Sequence, residues 1–253
     1  MRTASVSFQD RDIIITATFD APAAYTPPLV GRLLQASGWF PFVRIGVEQD
    51  GSIIVRGEIP RYDQRRAYEL EDTMIAAAGS TRRILDGEDR RPESRAASLS
   101  MNPDTLHTLQ TAARQYGWRI DIPGRSGYGM PELPALCVIR NARRSAEWMQ
   151  IDVIIVGCDI VFAIVGPLLH KRMQQKFGHM LGLRFLRYNA VISGGPRLAY
   201  FGGRTLLMSR IPLVELHHTE CLLAVERLLE AHASIVRNKY SSPGDSPDNT
   251  HVT

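Results

Sequence analysis

Cysteine is scarce in this chain. Three occur among 253 residues, Cys137, Cys158 and Cys221, at wide spacings and with no CxxC pair. An odd count without a spacing pattern excludes a disulfide framework and predicts buried thiols in a reducing compartment. Lysine is rarer still for a basic protein: only Lys171, Lys176 and Lys239 among 30 basic residues. The net charge of +4 therefore rests on arginine, and the excess is small. Short catalytic signatures are missing as well. There is no GxSxG, no HExxH, no GK[ST] and no spaced carboxylate motif. No cofactor or metal is expected on these grounds.

Long apolar runs are also few. The N-terminus passes from Met1-Arg2-Thr3 into the alternating Ser5-Val6-Ser7-Phe8, which lacks the continuous apolar core of a secretory leader. One stretch, 151–169, approaches the length of a membrane span. Asp152 and Asp159 interrupt it, and each charge at a bilayer centre costs about 2.5–3.5 kcal/mol on insertion scales. Two buried strands joined at Gly157-Cys158-Asp159 explain it better. The expected location is cytoplasmic, with no membrane contact.

What the chain does contain is a repeat. Gly51-Ser-Ile-Ile-Val-Arg-Gly-Glu-Ile-Pro60 matches Gly203-Arg-Thr-Leu-Leu-Met-Ser-Arg-Ile-Pro212. In each, a turn glycine opens a strand that closes on Ile-Pro. A strand precedes each, over 42–47 and 197–201, so both read as hairpins turning at Gln49-Asp50-Gly51 and Gly202-Gly203. Helices are predicted before these hairpins, over 27–37 and 167–186, and after them, over 63–78 and 214–236, each with apolar residues at helical spacing. A further hairpin stands in front of each set, over 5–19 and 147–165. Both copies thus read strand, strand, helix, strand, strand, helix. The second copy adds an opening helix over 103–116, capped by Asn102 and Gly117, and a strand over 136–141.

These elements predict an α+β fold of two tandem units, each an antiparallel sheet of two hairpins with flanking helices. The first unit, 1–85, lacks the opening helix. A polar, charged linker follows over 86–100, within a stretch that turns polar from Gly79. The second unit covers 101–240, and 241–253 reads as a disordered tail. The Gly- and Pro-rich stretch 123–134 is long for a connection inside a compact domain.

The element order, with the run from Leu186-Arg-Tyr-Asn189 through the Gly203 hairpin to Ile211-Pro212 and a long terminal helix, resembles the YbjN family of bacterial proteins. That family shares its fold with the class I chaperones of type III secretion. The resemblance covers most of 100–240 and, more loosely, 5–80. It implies a type III secretion chaperone-like fold in tandem, with a protein-binding activity. It also implies a pseudo-dimer within one chain, with a homodimer of whole chains as a further arrangement.

Each candidate chemistry has a plainer reading beside it. His217 and Cys221 are spaced like a helical zinc pair, yet no second pair completes a site, and structural packing explains them. Cys137 and Cys158 fall on neighbouring predicted strands with no basic pocket to activate a thiolate, so both are expected to be buried. The glycines at 194–195 and 202–203 are turns without the following helix that a phosphate cradle needs. Arg82, Arg83, Arg90, Arg91 and Arg95 concentrate near the linker and carry the alternative expectation of a nucleic-acid-associated accessory protein. Asp86, Glu88, Asp89 and Glu93 sit among them, as on a solvated segment.

What remains is contact surface. Val43, Ile45 and Val47 share one face of their strand, and Phe42 and Ile54 fall on the opposite face. Either the second unit covers that second face or a partner does. Trp39 and Phe40, at the helix-to-strand junction, are aromatic anchors for either outcome. The functional expectation is a non-enzymatic protein-binding module, chaperone-like or adaptor-like. Its candidate contact residues are Trp39, Phe40, Phe42 and Ile54.

Overall fold

The computed structural model describes residues 3–9, 12–60, 65–88, 101–121, 136–141, 150–165, 171–192, 194–201 and 204–240. Among them are five helices and two antiparallel sheets, a mixed α+β fold. The first part contains β1 (Thr3–Gln9), β2 (Asp12–Phe19), α1 (Pro27–Ser37), β3 (Val43–Val47), β4 (Ile53–Pro60) and α2 (Arg65–Leu85). The second contains α3 (Pro103–Tyr116), β5 (Trp118–Asp121), β6 (Cys137–Asn141), β7 (Gln150–Val156) and β8 (Asp159–Val165). It ends with α4 (Lys171–Val191), β9 (Arg197–Phe201), β10 (Arg204–Pro212) and α5 (His218–Tyr240).

The smaller sheet has the order β1-β2-β4-β3 and the larger one β5-β6-β7-β8-β10-β9. The last four strands of the larger sheet therefore repeat the connectivity of the smaller, hairpin, helix, hairpin, helix. Among the described residues the strands β5 and β6 and the helix α3 have no counterpart in the first half. The predicted linker, tail and 123–134 loop lie largely or wholly outside the described residues.

Local chemistry explains most element ends. Thr26 Oγ1 accepts from Leu29 N–H at the start of α1, and Asn102 Oδ1 accepts from Asp104 N–H at the start of α3. Each satisfies a donor that a helix leaves orphaned in its first turn. Gly117 ends α3 at φ 68°, a left-handed conformation that costs glycine nothing. Residues 118–121 then form the short strand β5, which the sequence pattern does not announce. The helix α2 runs past Gly79 to Leu85, because Ala77, Thr81 and Ile84 continue the buried stripe of Leu70 and Met74. The helix α4 likewise continues beyond Leu186 to Val191. The helix α5 starts at His218, later than the expected Val214. Glu220 Oε2 accepts from the His217 backbone N–H at 2.8 Å, one half of a capping box that sets this start.

The main core is an apolar cluster drawn from both sheets, and the halves build it jointly. A second, smaller cluster of Ile154, Val156, Val161, Ala163, Ala199, Leu206 and Met208 belongs to β7–β10 alone. The helix α1 packs on β9, α4 packs on β3, and the two helices pack on each other. Each half thus lends a helix to the other half's sheet. The outer face of β3 is covered by α4, at the second apolar face noted in the sequence. The close approach depends on Gly46: a Cβ there would lie 2.6 Å from Ala190 N. Among the described residues no helix is long and apolar enough to cross a membrane.

Candidate functional site

The joint between the halves is tied by polar groups that the sequence pattern does not single out. Asn189, fully buried near the end of α4, is its centre. Its Oδ1 accepts from Leu198 N–H at 2.8 Å, and its Nδ2 donates to Leu198 O at 2.8 Å and Ile45 O at 3.0 Å. One side chain therefore holds a strand from each half. Ser37, at the end of α1, plays a smaller version of this part, with its Oγ accepting from Ile45 N–H at 3.2 Å.

Two arginines flank this clamp at matching places, Arg44 on β3 and Arg197 on β9. They are 1% and 0% exposed. Arg44 donates to Glu58 Oε2 at 2.6 Å and, through Nε, to Asn189 O at 2.9 Å. Arg197 donates to Phe40 O at 2.6 Å and Gly195 O at 3.4 Å. Among the described residues no carboxylate lies within ion-pair distance of Arg197. Burial pushes its guanidinium down to about 9, and the charges of Arg210 and Arg44 push the same way. Burial alone would raise the Glu58 carboxyl. The charge and hydrogen bond of Arg44, a backbone N–H from Gly194 and the charge of Arg56 together outweigh that and hold it below its usual value. Further pairs cross the joint: Arg66 of α2 with Glu220 of α5 at 2.9 Å, and Arg227 of α5 with Asp12 of β2 at 2.7 Å. Arg210 pairs with Asp159 at 2.6 Å and donates to Gly38 O at 2.9 Å.

Most of these donors are taken by carboxylates and backbone carbonyls, with Arg44 Nη2 and Arg197 Nε left without a partner among the described residues, so the joint is a fastening. The open surface lies beside it. A groove of about 790 Å³ runs between the β3–β4 turn and the last turns of α4. Val47, Tyr188, Ala190 and Val191 supply apolar lining, with Val191 74% exposed. Glu48 and Asp50 stand on one rim, and Arg184 and Arg187 on the other. Asp50 is oriented by the turn, where Ser52 donates to its Oδ1 through both N–H, at 2.8 Å, and Oγ, at 2.6 Å. The Arg184 guanidinium lies 5.7 Å from the centre of the Tyr188 ring.

The candidate contact residues fall on the joint. Trp39, Phe40 and Phe42 are half-buried and pack against the shared core. Phe42 sits at φ 59°, held by its N–H to Arg210 O and its carbonyl to Glu58 N–H. That is an unusual conformation for a bulky residue, kept by partners from both halves. Ile54 is 3% exposed. In the single chain the three aromatics help to close the joint, Ile54 is buried on β4, and the groove is lined by other residues. No sequence signal marks Tyr188 and Val191, because the helix expected over 167–186 stops short of them, whereas α4 extends to Val191.

Of the arginines near the linker, Arg82 pairs with Asp86 at 2.8 Å and Arg83 reaches Ser80 Oγ at 3.3 Å. Arg90, Arg91 and Arg95 lie outside the described residues. Cys137 and Cys221 are buried, whereas Cys158 is exposed in the β7–β8 turn, contrary to the expectation of packing. Gly157, at φ 62°, opens that turn and carries the next side chain out of the sheet. Burial pushes the Cys137 thiol up to about 12 with help from the Asp152 charge, and burial also raises that of Cys221. Neither supplies a thiolate near neutral pH. His217 Nδ1 lies 2.8 Å from Thr219 Oγ1, and no cluster able to hold a metal occurs among the described residues. No family model, curated protein or solved structure matches the chain.

Proposed function

We propose that the chain is a protein-binding module, chaperone-like or adaptor-like, that holds an extended segment of a partner protein and performs no chemistry of its own. The groove between the β3–β4 turn and α4 carries this reading. It combines an exposed apolar side chain, Val191, with an aromatic at Tyr188 and with rims of opposite charge. A peptide with one or two apolar residues flanked by charge complements such a surface. In this reading the halves are two versions of one unit, packed as the subunits of a dimer would be. The resemblance to the YbjN family leads to the same expectation of binding. A cytoplasmic setting accords with three free thiols, one of them exposed.

Val191→Asp and Arg187→Glu test the groove, since both residues are exposed and the fold should tolerate either change. Affinity capture from the native host, with nuclease present, is expected to recover a specific protein with the parent chain. Each variant is expected to weaken that capture by about tenfold, the loss of roughly 1.4 kcal/mol. Capture that survives both substitutions, or that vanishes with nuclease, would refute the assignment. Loss on nuclease treatment would point instead to nucleic acid.

A further inference from the structure

We infer that two copies of this chain associate through β1, which pairs antiparallel with β1 of the partner to make one continuous eight-stranded sheet. The inference uses a surface remote from the groove and does not rest on the groove's role.

The backbone of β1 is half used. Glu58 N–H donates to Phe42 O, so the even-numbered residues of β4 direct their backbone groups toward β3. Alternation then directs the odd-numbered residues of β4 toward β2. Through the pairs Ile13↔Ile59 and Ile15↔Gly57, the odd-numbered residues of β2 bond to β4 and its even-numbered ones to β1. Through Ile14↔Ser7 and Thr16↔Ser5, the odd-numbered residues of β1 are satisfied by β2. The N–H and C=O groups of Ala4, Val6 and Phe8 therefore point out from an edge that no other strand of the described residues pairs with.

The side chains of the same three residues lie on the face of Ile13 and Ile15, beyond the reach of α2. Val6 is 60% and Phe8 67% exposed. In the second half the matching strand is β7, and its edge is covered by β6. Among the described residues the first half has no such strand.

Edge strands of soluble proteins are commonly guarded by charge, proline or a bulge. The seven residues Thr-Ala-Ser-Val-Ser-Phe-Gln of β1 contain no charge and no proline, and their register with β2 is unbroken. An uncharged strand meets its own copy without like-charge repulsion. The sequence is also self-complementary about Val6. A two-fold axis there sets Val6 opposite the partner's Val6 and Phe8 opposite the partner's Ala4, large against small on one face. All three residues with free backbone groups fall in hydrogen-bonded pairs, giving about six bonds across the axis. A foreign strand would need the same alternation, whereas a second copy supplies it at equal concentration. The contact is smaller than the roughly 1,600 Å² of a standard interface, so a dissociation constant on the order of micromolar is expected.

Sedimentation of the full-length protein from low to high micromolar concentration is expected to show a monomer–dimer equilibrium. Val6→Pro removes an outward N–H while sparing every bond to β2, and Val6→Lys sets two like charges on the axis. Both are expected to shift the equilibrium toward monomer by at least tenfold, with Val191→Asp leaving it unchanged. In a Cys158→Ser background, Val6→Cys is expected to form a disulfide-linked dimer on mild oxidation, since Cα atoms about 5.5 Å apart in a bonded pair permit one. Ser7→Cys in the same background is expected not to, because it faces the partner's Ser5. A parent chain monomeric at all these concentrations overturns the inference. So does a dimer indifferent to both Val6→Pro and Val6→Lys, or equal cross-linking at Val6 and Ser7.

Discussion

Arg44→Met is expected to destabilise the fold by about 3–5 kcal/mol at neutral pH, because it leaves the buried Glu58 carboxylate without its main partner. The same substitution at Arg197, the matching position of the other half, is expected to be milder by at least about 2 kcal/mol. Arg197 is a desolvated cation with carbonyl acceptors and, among the described residues, no carboxylate within ion-pair distance, so removing it relieves a buried charge that only the longer-range attraction of Asp159 offsets. Urea denaturation of the two variants checks the contrast, and equal losses would count against this account of the joint. The double substitution Arg44→Met/Glu58→Leu should recover most of the loss, since it removes both charges together. The pH dependence follows from the direction in which Glu58 is shifted. Its folded-state pKa lies below the unfolded value, so its stabilising contribution is complete above the ordinary carboxylate range of about 4.3. The contribution fades as pH falls through the depressed value. In Arg44→Met, burial dominates and the shift reverses, so protonation of Glu58 favours the folded state. The gap between parent and variant at pH 7 should therefore narrow near pH 4.

Gly46→Val is expected to be the most damaging change to packing. Even an alanine Cβ at this position would meet Ala190 N at 2.6 Å and Ala190 Cα at 2.8 Å, both backbone atoms of α4 that cannot rotate away. Accommodation requires α4 to lift from β3, which also pulls Asn189 from Ile45 O. Overpacking alone costs about 1–3 kcal/mol, and a carbonyl left buried without a donor adds about 1–3 kcal/mol more. A useful comparison is Gly182→Ala on α4, where the added Cβ would meet Val30 Cγ1, a side-chain atom. That variant is expected to lose about a third as much, because Val30 can shift. Thermal melts of both variants check the order, and a reversal would place the critical contact between α1 and α4 instead.

The parts of the fold legible in the sequence are those fixed by near neighbours. The caps at Asn102 and Gly117, the turn at Gly51 and the hairpin over 5–19 each depend on residues within a few positions, and each stands where the pattern places it. The helix ends at Leu85 and Val191 lie beyond the expected limits, because buried stripes and a distant strand outweigh a glycine or a fading periodicity. The joint was not legible at all. An arginine at an alternating strand position reads as solvent-facing, and only a helix arriving from more than a hundred residues away buries Arg44. Asn189 belongs to a recognisable element pattern, but its clamp on two strands requires both halves to be assembled. The groove was hidden for the same reason: its two rims come from Glu48–Asp50 and Arg184–Arg187, far apart along the chain.

The reciprocal loan of α1 and α4 has a consequence for what happens when the backbone is severed. Neither fragment would keep its strand face shielded from water, so each alone should clump. Mixed during refolding, the two should knit into a nicked but native-like particle, since the attraction between them is already written into their interlocking surfaces and needs no peptide tether.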